Sequence, residues 1–319
     1  MDVRDRVAVV TGGASGIGRS LCLALAEHGA AGVVVADVDA RGAEDVAAEI
    51  TARGHRALAV AADMSSEAAV QELVARAGEA FGRIDIFCSN AGIIAGGGVE
   101  VPDEAWSRMW AVNVHSHVYV ARAVLPQMLA RGEGYLVFTA SAAGLLTQLG
   151  SAPYAVTKHA LVAFAEWLSI SYGDRGIGVS CLCPQAVSTN LGATSLRELG
   201  GAEPAAAGGA AGRASGGTGG GAPGETAAGA AGRVTAPLAG NSGAIPSAQG
   251  NGSVSKQAAV DGVLTPDEVA ASILAGLADE SFLILPHPQV ATYERRRADD
   301  RERWLSGMRR LQARLAGKG

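Results

Sequence analysis

The chain has few cysteines, little net charge and no long apolar run. Its longest apolar stretches, such as Val7–Val10 and Gly32–Ala36, are far shorter than the roughly 20 residues that a membrane-spanning helix needs. The N-terminal residues lack the charged, apolar and small-residue order of a secretory signal, so we expect a cytoplasmic protein without a membrane partner. A net charge of -5 provides no strong positive field, which argues against nucleic acid as a partner.

The four cysteines, Cys22, Cys88, Cys181 and Cys183, lie in apolar or helical stretches. The Cys181-Leu-Cys183 spacing does not suit a zinc knuckle, and no cluster of histidines lies nearby in the sequence. We therefore expect small buried side chains in a reducing compartment, with no disulfide and no metal site.

Short apolar runs alternate with longer helical patterns over residues 5–190. A run that is apolar at every position suits a strand buried on both faces of a parallel sheet, and the intervening helices would cover those faces. This alternation predicts a doubly wound α/β domain, the Rossmann fold. The expected strands are Val7–Thr11, Gly32–Asp37, Ala57–Ala62, Ile84–Ser89, Gly134–Ser141 and Ile177–Cys183.

The composition changes abruptly after about Leu191. Within residues 200–252, 17 of 53 residues are glycine, 16 are alanine and none is aromatic. Such a segment cannot bury enough apolar surface to offset the entropy of ordering it, so we expect a disordered insertion in a surface loop. Order should return near Val263, where Thr265-Pro-Asp-Glu268 has the pattern of a capped helix start. A last strand is expected at Ser281–Leu285, followed by a solvated, arginine-rich helix at Gln289–Leu315.

A glycine-rich turn follows the first strand and opens the first helix. Gly12, Gly16 and Gly18 suit a tight turn, a close backbone approach and close helix packing, and the helix N-terminus would face a pyrophosphate. Asp37 ends the second strand, where a carboxylate accepts hydrogen bonds from ribose hydroxyls and repels a 2′-phosphate. Asp39 is the alternative carboxylate, but Asp37 suits the strand end better. The pattern predicts NAD as the cofactor.

Tyr154 and Lys158 are four residues apart on a predicted helix, so their side chains share one face. A nearby ammonium favours the phenolate and lowers the pKa of a tyrosine, which would make it a usable acid/base near neutral pH. Such a pair also arises by chance as a packing tyrosine and a surface lysine. Ser141, at the end of a strand, places a hydroxyl at the edge where open α/β sheets bind ligands.

Taken together, these motifs resemble the short-chain dehydrogenase/reductase family over residues 5–190 and again over 263–285. The resemblance implies an oxidoreductase that transfers a hydride between nicotinamide and a secondary alcohol or ketone. It implies that Tyr154 is the general acid/base, that Ser141 holds the substrate oxygen, that Lys158 binds the nicotinamide ribose and that Asn113 anchors a water of the proton relay. The cofactor contacts that we expect are Gly12, Ser15, Gly16, Ile17, Gly18, Asp37, Asp63, Met64, Asn90, Gly92, Tyr154, Lys158, Pro184, Val187 and Thr189.

The resemblance and the composition together divide the chain into three parts. Residues 1–191 and 263–286 would form one NAD-binding catalytic domain, residues 192–262 the Gly/Ala-rich disordered insertion, and residues 287–319 a charged C-terminal helix. Two other functions stay open: a dinucleotide-binding regulator without turnover, and an isomerase or lyase that uses bound NAD transiently. The presence of all four catalytic residues disfavours the first, and the lack of a larger C-terminal substrate domain disfavours the second.

Two departures from the family pattern concern the substrate. Gln185 follows Pro184 where the family usually has glycine, and the insertion lies where the family has its substrate-binding loop. The residues expected to line the pocket are mostly apolar, so we expect a mostly apolar alcohol or ketone. They are Ala142, Leu145, Leu146, Leu149 and Gln185. The helical segments Pro102–Leu129 and Ala152–Tyr172 are apolar on more than one face, which predicts a homodimer or homotetramer.

Overall fold

Five of the seven described strands are buried over nearly their whole length and form the centre of the molecule. Every residue of the first strand is buried, and so is every residue of the fifth. The computed structural model describes residues 1–199 and 261–315, and in these ranges seven strands form one parallel sheet. The strands are β1 (Val7–Thr11), β2 (Gly32–Asp37), β3 (Ala57–Ala61), β4 (Ile86–Ser89), β5 (Gly134–Thr139), β6 (Ile177–Leu182) and β7 (Leu283–Ile284).

The strand order is β3-β2-β1-β4-β5-β6-β7, which confirms the doubly wound fold. The chain moves outward in one direction from β1 to β3, and then in the other direction from β4 to β7. The order therefore reverses between β1 and β4, and loops that leave the carboxyl ends of these two strands diverge there. A crevice at such a reversal is the usual ligand site of an open α/β sheet.

Helices cover both faces of the sheet. They are α1 (Gly16–Glu27), α2 (Ala40–Ala52), α3 (Glu67–Phe81), α4 (Asp103–Trp110), α5 (Ser116–Arg131), α6 (Ala142–Leu145), α7 (Ala152–Tyr172), α8 (Leu191–Glu198), α9 (Pro266–Ala278), α10 (Gln289–Asp299) and α11 (Arg301–Leu315). A widened π-helical turn, Ala111–His115, joins α4 to α5, and a 3₁₀ turn, Gly173–Arg175, follows α7.

Alternate residues of each strand contribute to separate cores on the two faces of the sheet. Val9 and Val34 pack into the core beneath α3, α5 and α7. Their neighbours Val10 and Val35 pack into the core beneath α1, α2 and α9. All four cysteines are free and buried, as expected for small apolar side chains.

The chain after β6 differs from our expectation in two places. We expected disorder from residue 192, but helix α8 extends order to Glu198, and residues 200–260 lie outside the described ranges. We expected one solvated C-terminal helix, but the chain bends at Asp300, which separates α10 from α11. Val290 of α10 is fully buried in the main core, so α10 is part of the domain, whereas α11 has no buried residue.

The capped helix start that we expected at Thr265 is present. Thr265 caps α9, and its hydroxyl and the Glu268 carboxylate form the reciprocal bonds of a capping box. Leu264 donates to the carbonyl of Ala186 at 3.1 Å and accepts from Ser188 at 2.9 Å. Residues 186–188, after β6, and Leu264, before α9, therefore lie side by side. Among the described helices, none is long and apolar enough to cross a membrane.

Candidate active site

A cleft of about 720 Å³ opens at the carboxyl ends of the strands. It brings together residues that are far apart in the sequence, from the glycine-rich turn near the N-terminus to the loop after β6. The predicted site residues that line it are Gly12, Ser15, Gly16, Ile17, Asp37, Asp63, Met64, Asn90, Gly92, Ser141, Tyr154, Lys158, Pro184, Val187 and Thr189. Gly18 and Asn113 are predicted site residues that do not line the cleft.

The glycine-rich turn requires glycine for steric reasons. Gly12 and Gly16 have φ angles of +66° and +52°, which other residues adopt at a cost. A Cβ on Gly18 would lie 2.0 Å from the carbonyl oxygen of Gly12, so a side chain there would break the turn. Ser15 precedes α1 in extended conformation, and its hydroxyl makes no capping bond in the described structure. The first N–H groups of α1 thus need an acceptor, and a pyrophosphate meets this need.

Asp37 is held rigidly at the end of β2. One carboxylate oxygen accepts from the backbone N–H of Ala14 at 3.0 Å, and the other accepts from that of Asp39 at 3.0 Å. Asp39 has a separate task, because its side chain caps α2 by accepting from Gly42 at 3.1 Å. Asp37 therefore links the glycine-rich turn to the second strand at the edge of the cleft.

The third strand contributes Asp63, which follows its end. Burial would raise the pKa of Asp63, but hydrogen bonds from Ser65 and Arg108 outweigh it and hold the pKa below its usual value. The Ser65 hydroxyl donates to one carboxylate oxygen at 2.7 Å, and Arg108 lies 3.4 Å from the other. Asp63 therefore stays ionised, with its position set by these neighbours.

Asn90 joins the ends of three strands. Its side-chain amide donates to the carbonyl of Thr11 at 3.0 Å, and its amide oxygen accepts from the Thr139 hydroxyl at 3.0 Å. The Thr11 hydroxyl in turn accepts from the backbone N–H groups of Asn90 and Ala91 at 2.9 and 3.0 Å. The network fixes the loop after β4 against β1 and β5, and so fixes the floor of the cleft.

Ser141, Tyr154 and Lys158 line the same cleft, and their exposures are 8%, 8% and 3%. Ser141 ends the extended segment after β5 and accepts from the N–H of Ala143 at 3.1 Å, which starts α6. The ammonium of Lys158 lies 5.6 Å from the centre of the Tyr154 ring, as the four-residue spacing on α7 predicted. It donates to the carbonyl of Thr139 at 2.8 Å, which fixes its direction.

The pKa shift of Tyr154 is opposite in direction to our expectation. Burial raises the pKa of Tyr154 above its usual value, although the hydrogen bond with Ser141 acts in the opposite direction. Burial also lowers the pKa of Lys158 to about 8. We expected the lysine to lower the pKa of the tyrosine, but this pKa is raised because burial disfavours the phenolate.

Asn113 lies in the π-helical turn and is fully buried. Its side-chain oxygen accepts from the N–H of Ile93 and its amide group donates to the carbonyl of Ile93, both at 2.9 Å. The amide also donates to Thr157 at 3.2 Å, next to Lys158. The side chain thus ties the loop after β4 to α7, and a turn of this kind often marks a functional site.

An apolar wall adjoins Tyr154. It consists of Ile93, Ala95, Met109, Val112 and Ala143, with Ile94 and Leu199 packed against it. Helix α8 is fastened to this wall, because the Ser195 hydroxyl accepts from the N–H of Ile94 at 2.9 Å. None of the side chains in this wall carries a charge.

Two contributors to the site were missed at the level of sequence. Thr139 supplies the carbonyl that orients Lys158 and a hydroxyl for Asn90, and its place at the end of a buried strand was the available signal. Ser195 lies in the segment that we expected to be disordered, so nothing in the sequence pattern identified it. The described residues contain no group of three or more histidine, cysteine or acidic side chains that could hold a metal ion.

Comparison with known proteins agrees with this geometry. A family model described as short chain dehydrogenase matches residues 6–199. The 1-deoxy-11-beta-hydroxypentalenate dehydrogenase of Streptomyces exfoliatus is 43% identical over 207 residues, which cover 63% of this chain and 75% of the relative.

Two solved structures are also similar. A short chain dehydrogenase/reductase from Burkholderia phymatum in complex with NAD has a TM-score of 0.74 at 30% identity, covering 95% of this chain and 96% of the other. A 7 alpha-hydroxysteroid dehydrogenase complexed with NADH and 7-oxo glycochenodeoxycholic acid has a TM-score of 0.57 at 29% identity, covering 59% of this chain and 74% of the other.

Proposed function

The chain belongs to the short-chain dehydrogenase family, and from that premise we propose that it is an NAD-dependent oxidoreductase of secondary alcohols and ketones, with Tyr154 as general acid/base. The family and its relatives support a nicotinamide cofactor and chemistry at a CH–OH group. The observation that carries the finer proposal is the convergence of Ser141, Tyr154 and Lys158 on the same cleft as Asp37 and the glycine-rich turn.

The preference for NAD over NADP rests on charge at the ribose end. Asp37 presents a carboxylate at the strand end where ribose hydroxyls bind, and a 2′-phosphate would be repelled there. Arg19 would be a natural phosphate ligand, but its guanidinium is 2.5 Å from the carboxylate of Glu49. At this end of the cleft Asp37 is therefore a fixed anion, and Arg19 is already paired with Glu49.

When bound, nicotinamide supplies the hydride acceptor or donor. In the reductive direction the Tyr154 hydroxyl donates its proton to the carbonyl oxygen of the substrate, while the Ser141 hydroxyl donates a hydrogen bond to the same oxygen. Lys158 binds the nicotinamide ribose, and Asn113 anchors a water of the proton relay, while its side chain also ties the loop after β4 to α7. In the oxidative direction Tyr154 must first lose its proton, which its burial opposes, so oxidation should be faster as pH rises.

The substrate is proposed to be mostly apolar. Val112 of the wall beside Tyr154 lines the cleft, and so does Leu191 at the start of α8, and both side chains are aliphatic and uncharged. The relative that acts on 1-deoxy-11-beta-hydroxypentalenate and the neighbour bound to 7-oxo glycochenodeoxycholic acid both handle a hydroxyl or oxo group on a larger molecule. Their names support an alcohol or ketone but do not identify the substrate of this chain.

Helix α7 supports the proposal of a homo-oligomer. One face packs into the core through Leu161 and Leu168, whereas Val156, Trp167 and Ile170 are 45%, 55% and 83% exposed. A second copy would remove this apolar surface from water. The buried free thiols agree with the cytoplasmic location that we propose.

A panel of apolar secondary alcohols and ketones tests the proposed function. The absorbance of the reduced cofactor would be followed with NAD and with NADP for each compound. We expect turnover of at least one alcohol–ketone pair, with a higher kcat/KM for NAD. Tight NAD binding without turnover of any compound would favour the non-catalytic regulator and contradict the proposal.

A further inference from the structure

Gln185 places an unusual polar group in the wall of the cleft. It follows Pro184, at the position where the family pattern has glycine, and it lines the cleft together with Ser141 and Tyr154. Its side-chain oxygen, Oε1, is shielded from solvent and has no hydrogen-bond partner among the described residues. An acceptor that is left unpaired away from water is costly, so this oxygen is expected to meet a donor when the cleft is filled.

The backbone of Gln185 is held by a buried histidine. The N–H of Gln185 donates to Nδ1 of His287 at 3.2 Å, and His287 is 2% exposed. Because Nδ1 accepts this bond, the ring proton lies on Nε2, which donates to the carbonyl of Gly262 at 3.3 Å. Gln185 is therefore held at the end of β6, and His287 links it to the residues that precede α9.

The residue before Gln185 is fastened to the catalytic serine. The carbonyl of Pro184 accepts from the N–H of Ala142 at 2.9 Å and from the Ser141 hydroxyl at 3.5 Å. Gln185 and Ser141 thus belong to one rigid corner of the cleft. A substrate whose reacting oxygen is held by Ser141 would present neighbouring atoms to the Gln185 amide.

We propose that Gln185 is a specificity-determining residue whose Oε1 accepts a hydrogen bond from a second hydroxyl of the substrate, near the carbon that reacts. The inference rests on the proposed function and narrows its substrate class to an apolar skeleton that carries a diol or a hydroxyketone. Two other donors would satisfy the same oxygen: a carboxamide N–H of the bound nicotinamide and a trapped water. The experiment below separates these three.

The experiment compares cyclohexanol with the positional isomers of cyclohexanediol, in wild type, Gln185→Met and Gln71→Met. Methionine has nearly the length of glutamine but no strong acceptor, and exposed Gln71 on α3 provides the same chemical change far from the cleft. We expect wild type to favour at least one diol over cyclohexanol by about 10-fold in kcat/KM, the scale of a single neutral hydrogen bond. Gln185→Met should lose this preference, Gln71→Met should keep it, and the Kd for NAD should not change in either.

The contradicting results are equally specific. A diol preference that survives in Gln185→Met, or no preference in wild type, would overturn the inference and indicate a water at Oε1. A weaker Kd for NAD in Gln185→Met with an unchanged preference would assign the oxygen to the nicotinamide carboxamide.

Calorimetric binding of the same compounds in the presence of NAD separates the two proposals. If no compound is turned over but wild type binds a diol more tightly than cyclohexanol and Gln185→Met does not, the Gln185 inference is supported and the proposed function fails. If there is no turnover and the diols and cyclohexanol bind wild type with equal affinity, both proposals are overturned.

Discussion

Replacing Asp37 by asparagine should shift the cofactor preference towards NADP by about two orders of magnitude. The change removes one negative charge and keeps a side chain of the same size. A unit charge at 4 Å in water interacts with another by about 1 kcal/mol, so a nearly dianionic 2′-phosphate is repelled by about 2 kcal/mol, or about 30-fold. Loss of a charge-assisted bond to the ribose should weaken NAD by a further factor of about 5.

The variant also tests the structural task of Asp37. The carboxylate accepts from Ala14 and from Asp39, and an asparagine side chain has one acceptor oxygen for the two donors. We therefore expect a lower melting temperature, from a cost of about 1–3 kcal/mol if one N–H is left unpaired. The melting temperature has to be measured beside the kinetics, so that unfolding is not mistaken for a change of preference.

The assay is the ratio of kcat/KM with NAD to kcat/KM with NADP. Asp39→Asn is the matched control, because Asp39 also lines the cleft and asparagine is an equally good helix cap. We expect the ratio to change in Asp37→Asn and to stay within a few-fold in Asp39→Asn. Equal shifts in the two variants, or a wild type that already prefers NADP, would refute the reasoning. In the second case Arg19 or Arg41 would become the expected phosphate ligand.

Three further predictions concern the lysine, the loop and the assembly. Lys158→Ala should lose both activity and NAD affinity. In wild type, NAD affinity should fall as pH rises through about 8, because burial lowers the pKa of Lys158 to that value and the ammonium loses its charge. Lys158→Arg should keep its NAD affinity at this pH, because arginine stays charged. A flat affinity profile in wild type would contradict this. Replacing residues 201–252 by a short Gly/Ser linker should leave the melting temperature and NAD affinity nearly unchanged, since Leu264 and Ala186 already hold the flanks together and loop length costs little; a large fall in either would disprove it. Light scattering at micromolar concentration should give a dimer or tetramer mass, and a monomer would rule out the proposed cover of Trp167 and Ile170.

Local patterns in the sequence were enough to predict the fold. Strands such as Gly134–Thr139 are apolar because both faces are covered, and each is followed by a helix, which leaves few other arrangements. The glycine-rich turn could be predicted because steric demands act over a few residues. The bend at Asp300 was missed, although aspartate is a preferred helix N-cap, and its carboxylate accepts from the N–H of Arg303 at 2.9 Å.

The features that the sequence did not predict depend on contacts between segments that are distant along the chain. Helix α8 is fastened by Ser195 to Ile94, and Gln185 is held by His287, in each case about a hundred residues away in the sequence. The pKa of Tyr154 could not be predicted for the same reason. The spacing placed a cation nearby, but the extent of desolvation depends on the wall formed by residues such as Ile93 and Met109.

The most direct test of the account is the variant Tyr154→Phe, studied with the best substrate of the panel. It removes one hydroxyl and keeps the ring that Lys158 faces, so the protein should fold and bind NAD as wild type does. We predict that kcat falls by at least about 100-fold, the usual scale for a general acid/base, in both directions of the reaction. Near-normal turnover with intact NAD binding would contradict the assignment of Tyr154 as the acid/base and, with it, the proposed mechanism.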